Sequence, residues 1–215
     1  MIPFPTSGNA ARPHIPSPGF TEPVRDSQRC FRKLLAAVSY PGRTQDLRGL
    51  LSSAPVPLYP TTAALCLTLL DVETLVWLDG PLDTPDVRQF LSFHCGCRIP
   101  AHPGEAAFAL LDGRTAAPRL QTLHLGTPEY PDRAATALIQ VASATGGAKT
   151  VGSGPGIAGS QEFEIAGLEP EFWARRAAVN AAFPTGLDIV FVDPRQIVGL
   201  PRAIRMEGAL PCTLR

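Results

Sequence analysis

His94, Cys95 and Cys97, with His102 close behind, form the densest group of metal-capable side chains in the chain. A zinc site needs four ligands in tetrahedral reach, and its thiolates are usually separated by two to four residues. The single glycine between Cys95 and Cys97 is poor spacing for two thiolates on one ion. A structural reading is preferred: His94 caps or packs the end of a helix, and the cysteines are small core residues. Gly154-Pro155-Gly156-Ile157-Ala158-Gly159 matches G-x-G-x-x-G, which in a dinucleotide site must feed a helix N-terminus. Here Ser160 to Ile165 reads as a strand, so the glycines are expected to make a tight turn between strands. Gly146-Gly147-Ala148-Lys149-Thr150 lacks the G-K-[ST] triplet of a P-loop. A covalent pyridoxal-phosphate site would have to use Lys33 or Lys149, the only two lysines, and neither context is convincing. No G-x-S-x-G elbow and no H-E-x-x-H motif occur.

An acid and an arginine near the C-terminus are the remaining polar pair of interest. Asp188 opens the apolar run Leu187-Asp188-Ile189-Val190-Phe191-Val192, and an unpaired carboxylate there would be costly. Arg202 follows Pro201 at the end of the next run, Gln196 to Leu200, and is a candidate partner. An Asp193-Pro194 turn separates the two runs, which predicts an antiparallel strand pair. The near-continuous apolarity of residues 187–192 predicts a strand covered on both faces, as in the middle of an α/β sheet.

The elements around these residues follow from periodicity. Val24 to Val38 is expected to be helical, with Phe31, Leu34, Leu35 and Val38 inward and Pro41-Gly42 as the stop. Its other side carries Arg25, Arg29, Arg32 and Lys33, either a solvated face or a track for an anion or acidic partner. Thr61 to Leu70 reads as a short buried helix. Thr84-Pro85-Asp86 opens another, which runs to His94 with Val87, Phe90 and Leu91 inward. Strands are expected at Thr74–Asp79, Ala106–Leu111, Ala135–Ala142 and Phe163–Ile165. Lys149–Ser153 is expected to return from Gly146-Gly147 as a hairpin partner of Ala135–Ala142. Pro170 opens a helix with Phe172, Trp173 and Val179 inward. Interleaved strands and helices that end in hairpins give an α/β class with a mixed β-sheet flanked by helices. Residues 1–20, with five prolines among small polar residues, read as an extended, mobile arm, and residues 21–215 as one domain.

Composition narrows the function classes. The 215 residues are enough to bury roughly 70% of the unfolded surface in one core. Formal net charge is zero, against a nucleic-acid-binding surface. The charged fraction of 18% is below the usual ~25%, so part of the surface is expected to meet other chains. Basic residues are nearly all arginine, which fits GC-rich coding or selection for bidentate oxyanion binding. No apolar span is long enough for a membrane helix and no secretory signal is visible. Five cysteines at irregular spacing fit reduced thiols and a cytoplasmic protein.

Several segments, taken in order, resemble one family. They are Phe20-Thr21-Glu22-Pro23 through Leu34-Leu35 with Pro41-Gly42; Leu91-Ser92-Phe93-His94; and Leu138-Ile139-Gln140-Val141-Ala142-Ser143 with Gly146-Gly147. Gly154-Pro155-Gly156-Ile157, Phe183-Pro184-Thr185-Gly186-Leu187-Asp188 and Leu200-Pro201-Arg202 complete the set. The ordered set resembles the PhnH family, the H subunits of the bacterial carbon–phosphorus lyase complex, over roughly residues 20–202. The resemblance implies a homodimeric, cytoplasmic α/β subunit, similar in fold to the large domain of pyridoxal-phosphate-dependent transferases but without the cofactor site. It also implies a core assembly with G, I and J subunits that, with an ATP-binding protein, joins ATP and an alkylphosphonate. Adenine is released and a ribose 1-alkylphosphonate 5-triphosphate is formed. The base-displacing step belongs to the I subunit, and a radical iron–sulfur subunit later cleaves the carbon–phosphorus bond. On this resemblance the chain has no catalytic residues, metal or cofactor of its own and is not catalytic alone.

Within the matching segments, Arg32, His94, Asp188 and Arg202 are the polar residues suited to a phosphonate or nucleotide ligand. The rival account makes Asp188 and an arginine a structural pair and the motifs packing and subunit contacts. An alternative function is a stand-alone nucleotide- or phosphonate-binding protein.

Overall fold

The most apolar runs of the chain become the middle of one sheet, in a computed structural model that describes residues 16–207. In chain order the elements are α1 (Pro23–Ser39), β1 (Thr44–Asp46), α2 (Pro60–Leu69), β2 (Val76–Leu78), α3 (Pro85–Cys95), β3 (Phe108–Asp112) and α4 (Ala116–Arg119). They continue with β4 (Thr136–Gln140), β5 (Thr150–Ser153), β6 (Gln161–Phe163), α5 (Phe172–Val179), β7 (Asp188–Val192), β8 (Gln196–Leu200) and β9 (Arg205–Met206). Among these, six strands join in the order β1-β8-β7-β4-β3-β2. Strands β2, β3, β4 and β7 are mutually parallel, and β8 returns antiparallel to β7. The class is α/β with a mixed sheet.

Successive side chains of a strand point to opposite faces, and here both faces are apolar. Leu110, Leu138, Val190 and Val192 enter a core with residues of α1, α2 and α3. Ala109, Leu111, Ala137, Ile139, Ile189 and Phe191 enter the other, with residues of α4 and α5 and with Phe163 and Ile204. The unbroken apolarity of residues 189–192 is explained by this double coverage.

The expected hairpin between β4 and β5 does not form. Both flanks of β4 are occupied by parallel partners, β3 and β7, so no edge is free for a returning strand. The strand β5 instead pairs with β6 and β9 in a separate three-stranded sheet, order β6-β5-β9. The turn between β5 and β6 holds the G-x-G-x-x-G glycines, with Gly156 and Gly159 at φ 83 and 82. No helix follows them, as the sequence suggested.

Helix α1 has the expected length and half of the expected face: Leu34 is buried and Val38 packs on the core, but Phe31 and Leu35 do not turn inward. Its buried row is Asp26, Cys30, Leu34 and Ala37, whereas Phe31 and Leu35 are 49% and 52% exposed. Two adjacent apolar rows competed, and the row with small side chains won because β8 approaches closely. A Cβ added at Gly199 would stand 2.4 Å from the Ala37 carbonyl oxygen. The buried Asp26 carboxylate accepts from the Glu22 backbone N–H at the helix start, 3.1 Å. Helix α3 starts as predicted: Thr84 Oγ1 accepts from the Val87 N–H, Pro85 follows, and Gly96 closes the helix at φ 63.

Of the predicted arm, residues 1–15 lie outside the described residues. Residues 16–20 lead into α1, and Phe20 packs against the α1–α3 core.

Candidate functional site

Asp188 and Arg202 meet. Both Nε (3.0 Å) and Nη2 (2.5 Å) of Arg202 donate to Asp188 Oδ2, and the Arg202 backbone N–H donates to Oδ1 at 2.7 Å. Nη1 donates to the Pro131 carbonyl at 2.5 Å. The local cause is the register: β7 begins at Asp188, its antiparallel partner β8 ends at Leu200, and Pro201 carries the chain back over that end. The pair closes the hairpin.

The other two candidates lie elsewhere. Arg32 is exposed on α1. His94 is half-buried near the end of α3, where its Nε2 is 2.9 Å from the Ser17 carbonyl and its ring packs on Phe90 and Phe93. It lines a cavity with Gly19, Phe20, Val24 and Phe31. Asp188 borders a different, largely apolar groove of about 430 Å³ with Phe31, Leu35, Leu69 and Val190. The four residues therefore do not converge on one site.

The carboxyl ends of the parallel strands are where open α/β sheets hold ligands, and register brings Asp112 and Gln140 level there. Their polar groups are engaged internally. Asp79 accepts from Gly80 N–H (3.0 Å), Thr115 Oγ1 (2.5 Å) and Arg119 Nε (3.1 Å). Asp112 accepts from Arg114 Nε and Nη2 at 3.0 and 2.6 Å, and this hydrogen bonding holds its carboxyl below the usual range. Gln140 accepts from the Tyr59 N–H and Thr62 Oγ1, both at 2.7 Å, and donates to the Pro57 carbonyl at 3.1 Å. These bonds lock the strand ends to the start of α2. Neither lysine stands there: Lys33 is exposed on α1, and Lys149 Nζ sits 2.9 Å from Glu162 and 3.4 Å from Glu164.

The cysteines Cys30, Cys66, Cys95 and Cys97 are buried free thiols. Burial pushes the Cys66 thiol far up. A hydrogen bond between Cys95 and Cys97 raises the former and lowers the latter. His94 faces Ser17, and His102 is exposed. Among the described residues no group of three or more His, Cys, Asp or Glu side chains is placed to hold a metal.

A cavity missed from sequence lies between α5 and the segment after β8. It measures about 680 Å³ and is lined by Ser153, Asn180, Phe183 and the three arginines Arg176, Arg202 and Arg205. Arg176 is 2% exposed because it occupies the inward row of α5 with Phe172. Its Nη1 and Nη2 donate to the Ile204 and Pro201 carbonyls at 2.5 and 2.8 Å. Burial pushes its guanidinium down to about 10, so it stays charged at neutral pH. The available signal was its position four residues after Phe172, on the apolar side of the helix. Its neighbour Arg175 is exposed, with Glu171 3.8 Å away.

Residues 18–207 match the family described as bacterial phosphonate metabolism protein (PhnH). The chain is 34% identical over 200 residues to the α-D-ribose 1-methylphosphonate 5-triphosphate synthase subunit PhnH of Rhizobium meliloti (strain 1021). That match covers 92% of this chain and 98% of the relative. It is also 34% identical over 190 residues to a putative C-P lyase subunit protein, HtxG, of Stutzerimonas stutzeri, over 85% of this chain and 87% of that one. With the α/β fold continuous across the matched residues, this chain belongs to the PhnH family of bacterial phosphonate metabolism proteins.

Proposed function

We propose that this chain is a subunit of a carbon–phosphorus lyase core complex, needed to form ribose 1-alkylphosphonate 5-triphosphate from ATP and an alkylphosphonate. The carrying observation is the match to the Rhizobium synthase subunit over 98% of that protein's length. In this reading residues 21–215 form one domain, the partners are the G, I and J subunits, and the complex works in the cytoplasm. Among the described residues no helix is long and apolar enough to cross a membrane, which is compatible with that place. The chain contributes surface and binding groups, not turnover of its own. The mixed sheet with helices on both faces supports a likeness to the large domain of pyridoxal-phosphate-dependent transferases.

Homodimerisation is supported by α1. Its exposed Val24, Phe31 and Leu35 lie on the row displaced from the core, and Phe31 and Leu35 line the apolar groove. Such a row is costly in water and suits a self-complementary contact. The alternative, a stand-alone nucleotide- or phosphonate-binding protein, draws its support from the arginine-lined cavity.

An omission assay tests the proposal. The purified sister subunits, ATP and methylphosphonate are combined with or without this chain, and adenine release is followed. Release should require the chain, and the chain alone should release none. Undiminished release in its absence, or turnover by the isolated chain, contradicts the proposal.

A further inference from the structure

We infer that the cavity between α5 and the β8–β9 segment binds a doubly charged phosphoryl or phosphonyl group, held by Arg176, Arg205 and Arg202. The first observation is charge. Three guanidinium groups line the cavity, and no Asp or Glu is among its lining residues. The nearest carboxylate bonded to any of them is Asp188, taken up by Arg202. Three positive charges against one negative leave an excess of two, which a dianion would neutralise.

The second observation is Arg176 itself. Its Nη groups reach backbone carbonyls, but no carboxylate stands within ion-pair distance among the described residues. Its Nε–H is buried and has no acceptor. Carbonyl dipoles satisfy donors without neutralising charge, so the protein carries a buried cation that only the more distant Asp188 attracts. Buried charge of this kind, at the wall of a cavity, marks functional sites. Arg205, exposed on β9, lines the same cavity and makes no ion pair among the described residues. Guanidinium forks match tetrahedral oxyanions bidentately, and Arg is preferred over Lys for that reason. Ser153, also in the lining, adds a neutral hydroxyl donor, whereas the Asn180 amide is spent on the Leu187 and Arg202 carbonyls.

The choice of phosphorus over other oxyanions rests on the synthase reading, whereas the anion site rests on the cavity alone. Isothermal titration of the full-length chain, alone and assembled with its sister subunits, tests it with three probes: inorganic phosphate, methylphosphonate and ATP. Arg205→Ala, an exposed change that leaves the fold intact, should weaken the binding at least tenfold, and Arg176→Lys should weaken it similarly. Arg48→Ala, an exposed change at a guanidinium held by Asp46 and outside the cavity lining, should not. Preference among the probes separates a phosphonate from a nucleotide phosphate as the source. Absence of binding in both preparations, or binding unchanged in Arg205→Ala, overturns the inference. Assembly is read on the same samples by sizing. Assembly without anion binding would sink this inference alone, and anion binding without assembly would sink the subunit reading alone.

Discussion

At the scale of residues, Asp188 and Arg202 show how far a single acid in an apolar run can be read. The run Leu187–Val192 had to be covered, so its one carboxylate had to find a cation near the end of the hairpin, and it does. What sequence could not show is that the arginine also clasps Pro131, because that contact depends on a loop distant in the chain. Arg202→Ala should cost about 2 kcal/mol in urea unfolding, since it strips two charge-assisted bonds from a carboxylate that is two-thirds buried. The double variant with Asp188→Ala should recover part of that loss, the sign of a coupled pair. A cost below about 0.5 kcal/mol would place the pair among ordinary surface bridges. Arg176 escaped the same reasoning: the acids near it in sequence, Glu169 and Glu171, are taken up by the Ala117 N–H and by Arg175, and its significance lies in the missing partner.

At the scale of elements, apolar runs located the central strands, and cap chemistry located the start of α3 to the residue. Pairing was less legible. Lys149–Ser153 looks like a hairpin partner for β4, but which strand accepts a partner depends on which edges the rest of the fold leaves open. The face of α1 raised the same difficulty, because Gly199 lies far along the chain and it is the close approach there that favours Cys30 and Ala37. The consequence is an exposed Phe31–Leu35 row, which our account assigns to the contact between copies. Phe31→Asp with Leu35→Asp should convert the dimer to monomer in sedimentation velocity, with the melting temperature of the monomer unit changed little. A wild-type chain already monomeric, or a variant that remains dimeric, would remove α1 from that role.

At the scale of the whole molecule, the ordered segments between Phe20 and Arg202 carried the family, and residues 18–207 match it. The candidate site was much less legible. Residues of the arginine cavity come from 153–155, 176–183 and 202–206, three stretches that only the packing of α5 against β9 and the β5–β6 turn brings together. The internally bonded strand ends and the exposed apolar row both agree with a protein that works by joining others. Co-expression of a tagged copy with the G, I and J subunits, followed by affinity purification and sizing, measures that most directly. A stoichiometric complex containing this chain is the predicted result. Elution of the chain by itself while its sisters assemble without it would contradict the account.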